Sequence, residues 1–344
     1  MRRVRIVGGG LAGLTLGIAL RRNAVPVTII EAGSYPRHRV CGEFVSGIRP
    51  EALSELGIAD LLLQAERPQE TVWYEGEREL FRGRLPEPAY GVSRHFLDEA
   101  LAARFCELGG ELRTGQRGAT DAAGEGIVQA CGRRVQGAKA SASGWVGLKA
   151  HFMGLEMRTD LEIHFGNGAY VGVTRVEGGW SNVTGLFWRG AISAEAGGGN
   201  ALYNALVEGG MEGMAVRLKH ARLREGSFKG VNRFALGWQA GYGRGVRIGD
   251  AAAIIPPLTG NGMTMALQGA LGALGPLRAW SEERQNWAQT ERAVVSLQRR
   301  TFARRLAWAA GFQSILMSPP LRRWAAAAIR HGWVSFETLC RRVR

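Results

Sequence analysis

VRIVGGGLAGLTLGIALRR, residues 4–22, decides the fold. Residues 4–7 read as a short apolar strand, which runs into Gly8-Gly9-Gly10-Leu11-Ala12-Gly13 before LTLGIALRR continues at helical period. A second strand, VPVTII (25–30), ends at Glu31. Strand, GxGxxG, helix, strand and acid in this order are the parts of a dinucleotide-binding βαβ unit. Gly8 allows the tight turn, Gly10 lets the backbone approach a pyrophosphate, and Gly13 lets the helix pack close to the strand. The helix start at Leu11 and Ala12 offers unpaired N–H groups and a positive dipole end to phosphates. Glu31 stands where a carboxylate can take ribose hydroxyls, which argues against a 2′-phosphate but does not separate NAD from FAD.

The rest of the composition sets bounds. The chain has 344 residues, 46% apolar and 22% charged, as in a soluble globular protein of one large domain or two intimate ones. Fifty glycines are about twice the usual usage and point to many tight turns. The net charge is +14, carried almost entirely by arginine, and predicts attraction to anions. Cys41, Cys106, Cys131 and Cys340 fit no metal-ligand spacing, so no metal site is expected. MRRVRIVGGG enters a folded motif directly and no apolar run is long enough to span a bilayer. These features predict a cytoplasmic protein with reduced thiols.

The cofactor is separated by VRIGDAAAIIPPLTGNGMTMALQGALGAL (246–274). A strand ends at Gly249-Asp250, a carboxylate placed for a ribityl or ribose hydroxyl. Pro256-Pro257 and the loop Gly260-Asn261-Gly262-Met263 then open a second helix N-terminus, suited to the electron-rich edge of a flavin. An NAD-only domain has no need of so distant a second site.

At this point the chain resembles the FAD-dependent oxidoreductases of the para-hydroxybenzoate hydroxylase and geranylgeranyl reductase superfamily, to which flavin-dependent halogenases are related. The resemblance runs in order from residue 1 to about 310 through GGGLAG with Glu31, RVCGEF (39–44), GVSRHFLDEAL (91–101) and IGDAAAIIPPLTGNGM. It implies FAD as cofactor, with NAD(P)H as a transient reductant that has no Rossmann site of its own. It implies that Arg39 neutralises FAD phosphate charge, that Val40, Cys41 and Gly42 pass beside the flavin ring, and that Arg94 contacts the diphosphate or ribityl chain. It places Ala130 and Gly132, in IVQACGRRV (127–135), where the family's hydroxylases carry a DG motif and other members an A-T-G pattern. The WxWxIP motif of tryptophan halogenases is absent, which argues against halogenation, and so is the YxWxFP-type signature of prenyl reductases.

The implied fold is α/β: a Rossmann-type FAD-binding domain of the glutathione reductase kind, an inserted antiparallel β-sheet substrate domain and a C-terminal helical region. The FAD-binding domain takes residues 1–70, 91–140 and 237–310. The substrate domain takes 71–90, read as a hairpin, and 145–236, where WVGLKAHF, LEIHF, AYVGVTRV and WSNVTGLFW alternate as strands. AEAGGGNALYNALVEGG (194–210) reads as a connecting loop and helix rather than a phosphate loop, since no strand precedes it. Residues 311–344 form a basic helical region; from Glu291 onward eleven arginines face two acids. It reads as helices packed on the FAD domain with solvated arginine faces, or as a docking surface for an anionic membrane or an acidic carrier protein. Nucleic acid is not expected, because no groove-reading or stacking motif accompanies the charge.

Three residues are candidates for the chemistry. Cys41 is read as lining the active site, against a plain buried small residue. Lys149 and His151 lie two apart on one strand and so share a face. They either hold an anionic substrate or move protons there, or the face is solvent. Ser93 is read as the N-cap of the helix that Arg94 opens, and Asp98 as a first-turn acid. The expected function is a FAD-dependent monooxygenase or redox tailoring enzyme acting on an apolar or aromatic small molecule. Two alternatives stay open: a prenyl or polyene C=C reductase, with peripheral membrane association, and a FAD-binding redox sensor without turnover.

Overall fold

The computed structural model describes residues 1–118, 124–133, 144–191, 199–232 and 235–344. Its first sheet is parallel throughout and five strands wide, in the order Val246–Arg247, Ile127–Gln129, Val4–Val7, Val27–Ile30, Glu111–Arg113. Parallel neighbours need a crossover between them, and between Val4–Val7 and Val27–Ile30 a helix supplies it. Leu11–Arg22 is that helix, and every residue from Leu11 to Leu20 is buried. It packs against the helices Arg94–Glu107 and Gly262–Ser281. Gly17 is needed there, because a Cβ would come within 2.8 Å of Ile29 and 2.9 Å of Phe105.

The second sheet has the order Arg222–Leu223, Trp145–Met153, Trp180–Trp188, Ala169–Val176, Leu161–Gly166, Glu70–Glu75, Arg78–Arg84, with Lys229–Asn232 also on Trp145–Met153. The expected hairpin is present as Glu70–Glu75 with Arg78–Arg84. The sheet differs from a purely antiparallel one at a single junction: Leu161–Gly166 runs parallel to Glu70–Glu75. Between those two strands the chain leaves for the first sheet and returns in the same direction. The face carrying Val171, Val173, Val183 and Phe187 is covered by the helices Gly199–Glu208 and Glu212–Lys219. The opposite face looks toward the first sheet. The glycine-rich start of 194–210 lies partly outside the described residues.

The basic C-terminal stretch forms the helices Trp287–Met317, Pro319–Arg330 and Phe336–Arg342. The first carries a capping box, Asn286 with Gln289. It packs on Gly262–Ser281, as expected for this region. The last two depart from that reading. Ala326, Ile329 and Phe336 pack on Leu80 and Phe81 of the second sheet. Arg322 is 1% exposed, pairs with Glu75 together with Arg323, and donates to the Leu316 carbonyl at 2.8 Å. The amphipathic helix therefore turns its apolar side to the sheet, and one of its arginines goes in with it.

Candidate active site

A cavity of about 1180 Å³ runs between the two sheets. At one end it is built from the glycine turn. Gly8 has φ +111°, and a Cβ there would lie 2.3 Å from the Ala130 carbonyl oxygen. Gly13 does not line the cavity; a Cβ on it would strike the Gly8 carbonyl oxygen at 2.0 Å, so it serves the close packing behind the turn. Gly10 caps the first helix with no side-chain hydrogen bond, and Gly8, Gly10, Leu11 and Ala12 all face the cavity. The helix N–H groups are therefore open to an anion.

Glu31 also lines this end. Its Oε2 accepts from Gly9 N at 2.7 Å, and its Oε1 accepts from Gly33 N and Arg37 Nη1, each at 2.8 Å. Burial alone would raise this carboxyl, but the Arg37 guanidinium and the two N–H groups outweigh it and hold it down to about 2. Three of its roughly four acceptor sites are thus filled from within the chain, fewer than expected remaining for a ribose. Arg37, Arg39 and Arg94 surround the turn. Arg94 forks onto Asp98 at 2.7 and 2.8 Å, and Arg39 Nε stands 3.5 Å from the same carboxylate without a hydrogen bond. Asp98 is fully buried and is no first-turn acid; it is the counter-ion of two arginines, while Ser93 caps the helix as read. Arg37 Nε and Nη2 are buried and have no partner among the described residues. Buried guanidinium donors without acceptors, beside an open helix start, fit a diphosphate.

The 37–43 loop crosses the middle of the cavity. Val40, Cys41 and Gly42 line it. Asn182 Nδ2 donates to the carbonyls of Cys41 and Gly42 at 3.0 and 2.9 Å. Burial pushes the Cys41 thiol up. Glu43 follows at φ +54°, a conformation L-residues rarely adopt, and is fully buried. It accepts from Lys149 Nζ at 3.1 Å, bonds His151 Nε2 at 2.5 Å, and accepts from the Arg94 backbone N–H at 3.0 Å.

Lys149 and His151 do share a face, the one turned toward the first sheet, but neither reaches the cavity wall. Both are fully buried beneath the loop, so the reading of them as pocket residues is corrected: they hold Glu43. Lys149 Nζ also lies 3.3 Å from Nδ1 of His38, which does line the cavity and stacks near His95. Burial, followed by the charges of Lys149 and His151, pushes His38 down to about 3.

The third group comes from 249–263. Gly249, Asp250, Pro257, Gly260, Asn261, Gly262 and Met263 line the cavity, as do Ala130 and Gly132. Asp250 Oδ2 is 3.6 Å from Arg133 Nε. Asn261 is 1% exposed and accepts from Ser46 at 3.3 Å, fixing the start of Gly262–Ser281. Beyond this the cavity becomes apolar: Trp73, Ile163 and Leu186 of the sheet face Ile315, Leu316 and Phe336 of the last helices. Among the described residues no cluster of His, Cys, Asp or Glu is placed to hold a metal ion.

Arg37 and Asn182 belong to the site and were not singled out in the sequence, while Glu43 and Asp98 stood in quoted motifs without their ion-pair roles being read. Arg37 lies two residues before the quoted RVCGEF segment and Glu43 lies within it. The burial of so short a run of charge was the available signal, but Asn182 and Asp98 carry none in sequence.

The fold and this cavity define a Rossmann-type dinucleotide-binding protein with an attached β-sheet chamber. Residues 6–43 match the NAD(P)-binding Rossmann-like domain family. Over 148 residues the chain is 27% identical to the FAD-dependent monooxygenase pynG of Aspergillus niger, a stretch that covers 39% of this chain and spans about a third (34%) of that protein's length. Among solved structures it is similar to the flavin-dependent brominase Bmp2 (TM-score 0.77, 18% identity, 98% of this chain and 92% of that one). It is also similar to p-nitrophenol 4-monooxygenase PnpA from Pseudomonas putida (TM-score 0.74, 15% identity, 99% and 96%). A third is 2-methyl-3-hydroxypyridine-5-carboxylic acid oxygenase (TM-score 0.69, 20% identity, 93% and 94%). The chain has the fold that FAD-dependent monooxygenases and halogenases share, as its ordered motifs imply.

Proposed function

We propose that the protein is a FAD-dependent monooxygenase acting on an apolar or aromatic small molecule, with NAD(P)H docking transiently as reductant. One observation carries the reading: the cavity is continuous from the glycine turn and its arginines, past the 37–43 loop and Gly262, into an apolar chamber. FAD, when bound, supplies the electron transfer and the activation of O2.

The chain's own residues bind, orient and exclude water. Gly10, the start of the first helix, Arg37, Arg39 and Arg94 would hold the diphosphate, and Glu31 the ribose end. Cys41, Gly42, Asp250 and the Pro257–Met263 loop would hold the rest. Glu43, braced by Lys149 and His151, keeps the loop beside Cys41 fixed. The sheet and the last two helices keep water from the chamber. The names of pynG and PnpA, both monooxygenases, favour oxygenation over saturation of a double bond. The 1–70, 91–140, 237–310 division remains our reading of the FAD-binding part.

The outer side of the last helices shows Leu321, Trp324 and Trp333 (49%, 61% and 72% exposed) among arginines, and Trp324 lines the cavity. This supports a peripheral anionic membrane surface, or an acidic carrier, as the source of substrate to a protein of the cytoplasm. Among the described residues no helix is long and apolar enough to cross a membrane.

The test is flavin reduction by NADH or NADPH without O2, followed by air, with aromatic and polyene candidates present. Oxygen consumption and oxygen insertion that depend on an aromatic substrate support the proposal. Anaerobic turnover with saturation of a C=C bond overturns it in favour of a reductase; reduction without turnover of any compound favours a sensor.

A further inference from the structure

The cavity-facing side of the second sheet is mostly apolar, yet it carries a hydroxyl with nothing to bond. Tyr170 is 5% exposed, and its Oη has no hydrogen-bond partner among the described residues. Tyr170 belongs to an apolar cluster with Phe165, Leu186, Leu258 and Leu316, and the polar side-chain atoms in that cluster besides its own hydroxyl are the indole N–H groups of Trp73 and Trp145. Native proteins keep few buried hydroxyls unpaired, because each forfeits its bonds to water without compensation. Tyr170 lines the cavity, and the adjacent same-face position is Gly172, where even a Cβ would meet nothing closer than 3.6 Å. Gly172 therefore leaves this part of the wall without a side chain. Leu258 belongs to the loop assigned above to the cofactor, so the hydroxyl lies at the cofactor side of the chamber.

The Arg322 guanidinium sits 4.8 Å over the Phe165 ring, but its Nε, Nη1 and Nη2 are already taken by Glu75 and the Leu316 carbonyl. An anion placed here would be desolvated and would find no free guanidinium nitrogen on Arg322 to meet it.

We propose that Tyr170 is a specificity-determining residue, whose hydroxyl bonds a neutral hydroxyl or carbonyl substituent on an otherwise apolar aromatic substrate and disfavours an anionic substituent there. This rests on the reading of the chamber as the substrate site. Thr71, 1% exposed and equally unpartnered at Oγ1, lies on the same face two strands away and is the competing anchor.

The test is calorimetric titration of the full-length, FAD-loaded protein with naphthalene, 2-naphthol and 2-naphthoate. The native chain binds 2-naphthol more tightly than the other two. Tyr170→Phe weakens 2-naphthol about tenfold, the worth of one neutral hydrogen bond. It leaves naphthalene unchanged, and the ligand-free melting temperature stays level or rises because an orphan hydroxyl is gone. Thr71→Val leaves the preference intact. The proposal is overturned by an unchanged 2-naphthol affinity in Tyr170→Phe, by equal losses for 2-naphthol and naphthalene, by failure of 2-naphthol to bind, or by transfer of the effect to Thr71→Val. Binding is read without turnover. A protein that discriminates but never consumes O2 sinks the monooxygenase reading alone, and an active enzyme whose Tyr170→Phe variant binds all three like the native chain sinks this one alone.

Discussion

Lys149 Nζ lies 3.1 Å from Glu43 Oε1, and neither side chain has any exposure to solvent. The pair joins a strand of the second sheet to a loop of the nucleotide-binding part. Removing Glu43 leaves Lys149 as a buried charge without its carboxylate, and removing Lys149 leaves Glu43 to His151 and the Arg94 N–H alone. Lys149→Met and Glu43→Gln should therefore each destabilise by about 3–5 kcal/mol. The double variant should lose clearly less than the sum, because no orphan charge remains. Urea denaturation of the four proteins measures this; additive losses would show that the two groups act separately.

Acid stability should fall in two stages. His38 is held at about 3 in the fold against a usual 6.5, so the unfolded chain takes up the proton first as pH drops. Its contribution is complete above about 6.5 and is lost as pH falls toward 3. Glu31 and Glu162, both held at about 2 against a usual 4.5, contribute stability above about 4.5 that is lost as pH falls toward 2. The charged neighbours of His38 are Lys149, His151, His95 and Arg224. His38→Gln should flatten the stability curve between pH 6.5 and 3, and Glu162→Gln between 4.5 and 2, read by denaturant melts across pH.

Arg37 offers two buried donors to whatever anion enters the glycine turn. Arg37→Gln should weaken FAD by about 10- to 100-fold, the worth of a hydrogen bond to a charged group. Flavin fluorescence titration reads the change. Wild-type affinity in the variant would place the diphosphate elsewhere.

Cys41 is half-buried and burial pushes its thiol up, whereas Cys106 is exposed. Iodoacetamide at neutral pH should modify Cys106 well before Cys41, by peptide mass mapping. Cys41→Ser should leave turnover unchanged, since the residue shapes the wall and moves no proton. Loss of turnover with intact FAD binding would assign it a chemical role.

Arg322 ties the last helices to the sheet through Glu75. Arg322→Met should cost about 1–3 kcal/mol and lower the melting temperature. It should also weaken apolar ligands more than FAD, because only the chamber wall loosens. Equal weakening of both would mean the helices support the whole cavity.

The two ends of the site were unequally legible. Gly8, Gly10 and the 249–263 loop act through backbone geometry, and backbone demands leave glycines at fixed spacing; Glu31 was legible from its place at the end of the second strand. The strands alternated visibly because one face is dry. Lys149 and His151 were singled out for the right reason, a costly lysine in an apolar strand, but the cost is met by Glu43, more than a hundred residues away, rather than by a ligand. Asp98 looked like a helix-start acid because spacing cannot reveal two arginines folding back onto it. The last helices read as surface because an arginine that goes inside, as Arg322 does, is spelled like any other.

The parallel junction between Leu161–Gly166 and Glu70–Glu75 bears on how the chain assembles. The second sheet cannot close until the intervening chain has been laid into the first, and the first lacks its Val246–Arg247 edge until the second has been traversed. Such interleaving puts contacts far apart in sequence and slows folding. It also means that neither half is a unit that could be cut out and expressed alone. Heat should melt the molecule in one transition, and a chain cut short before residue 246 should be insoluble rather than half-folded.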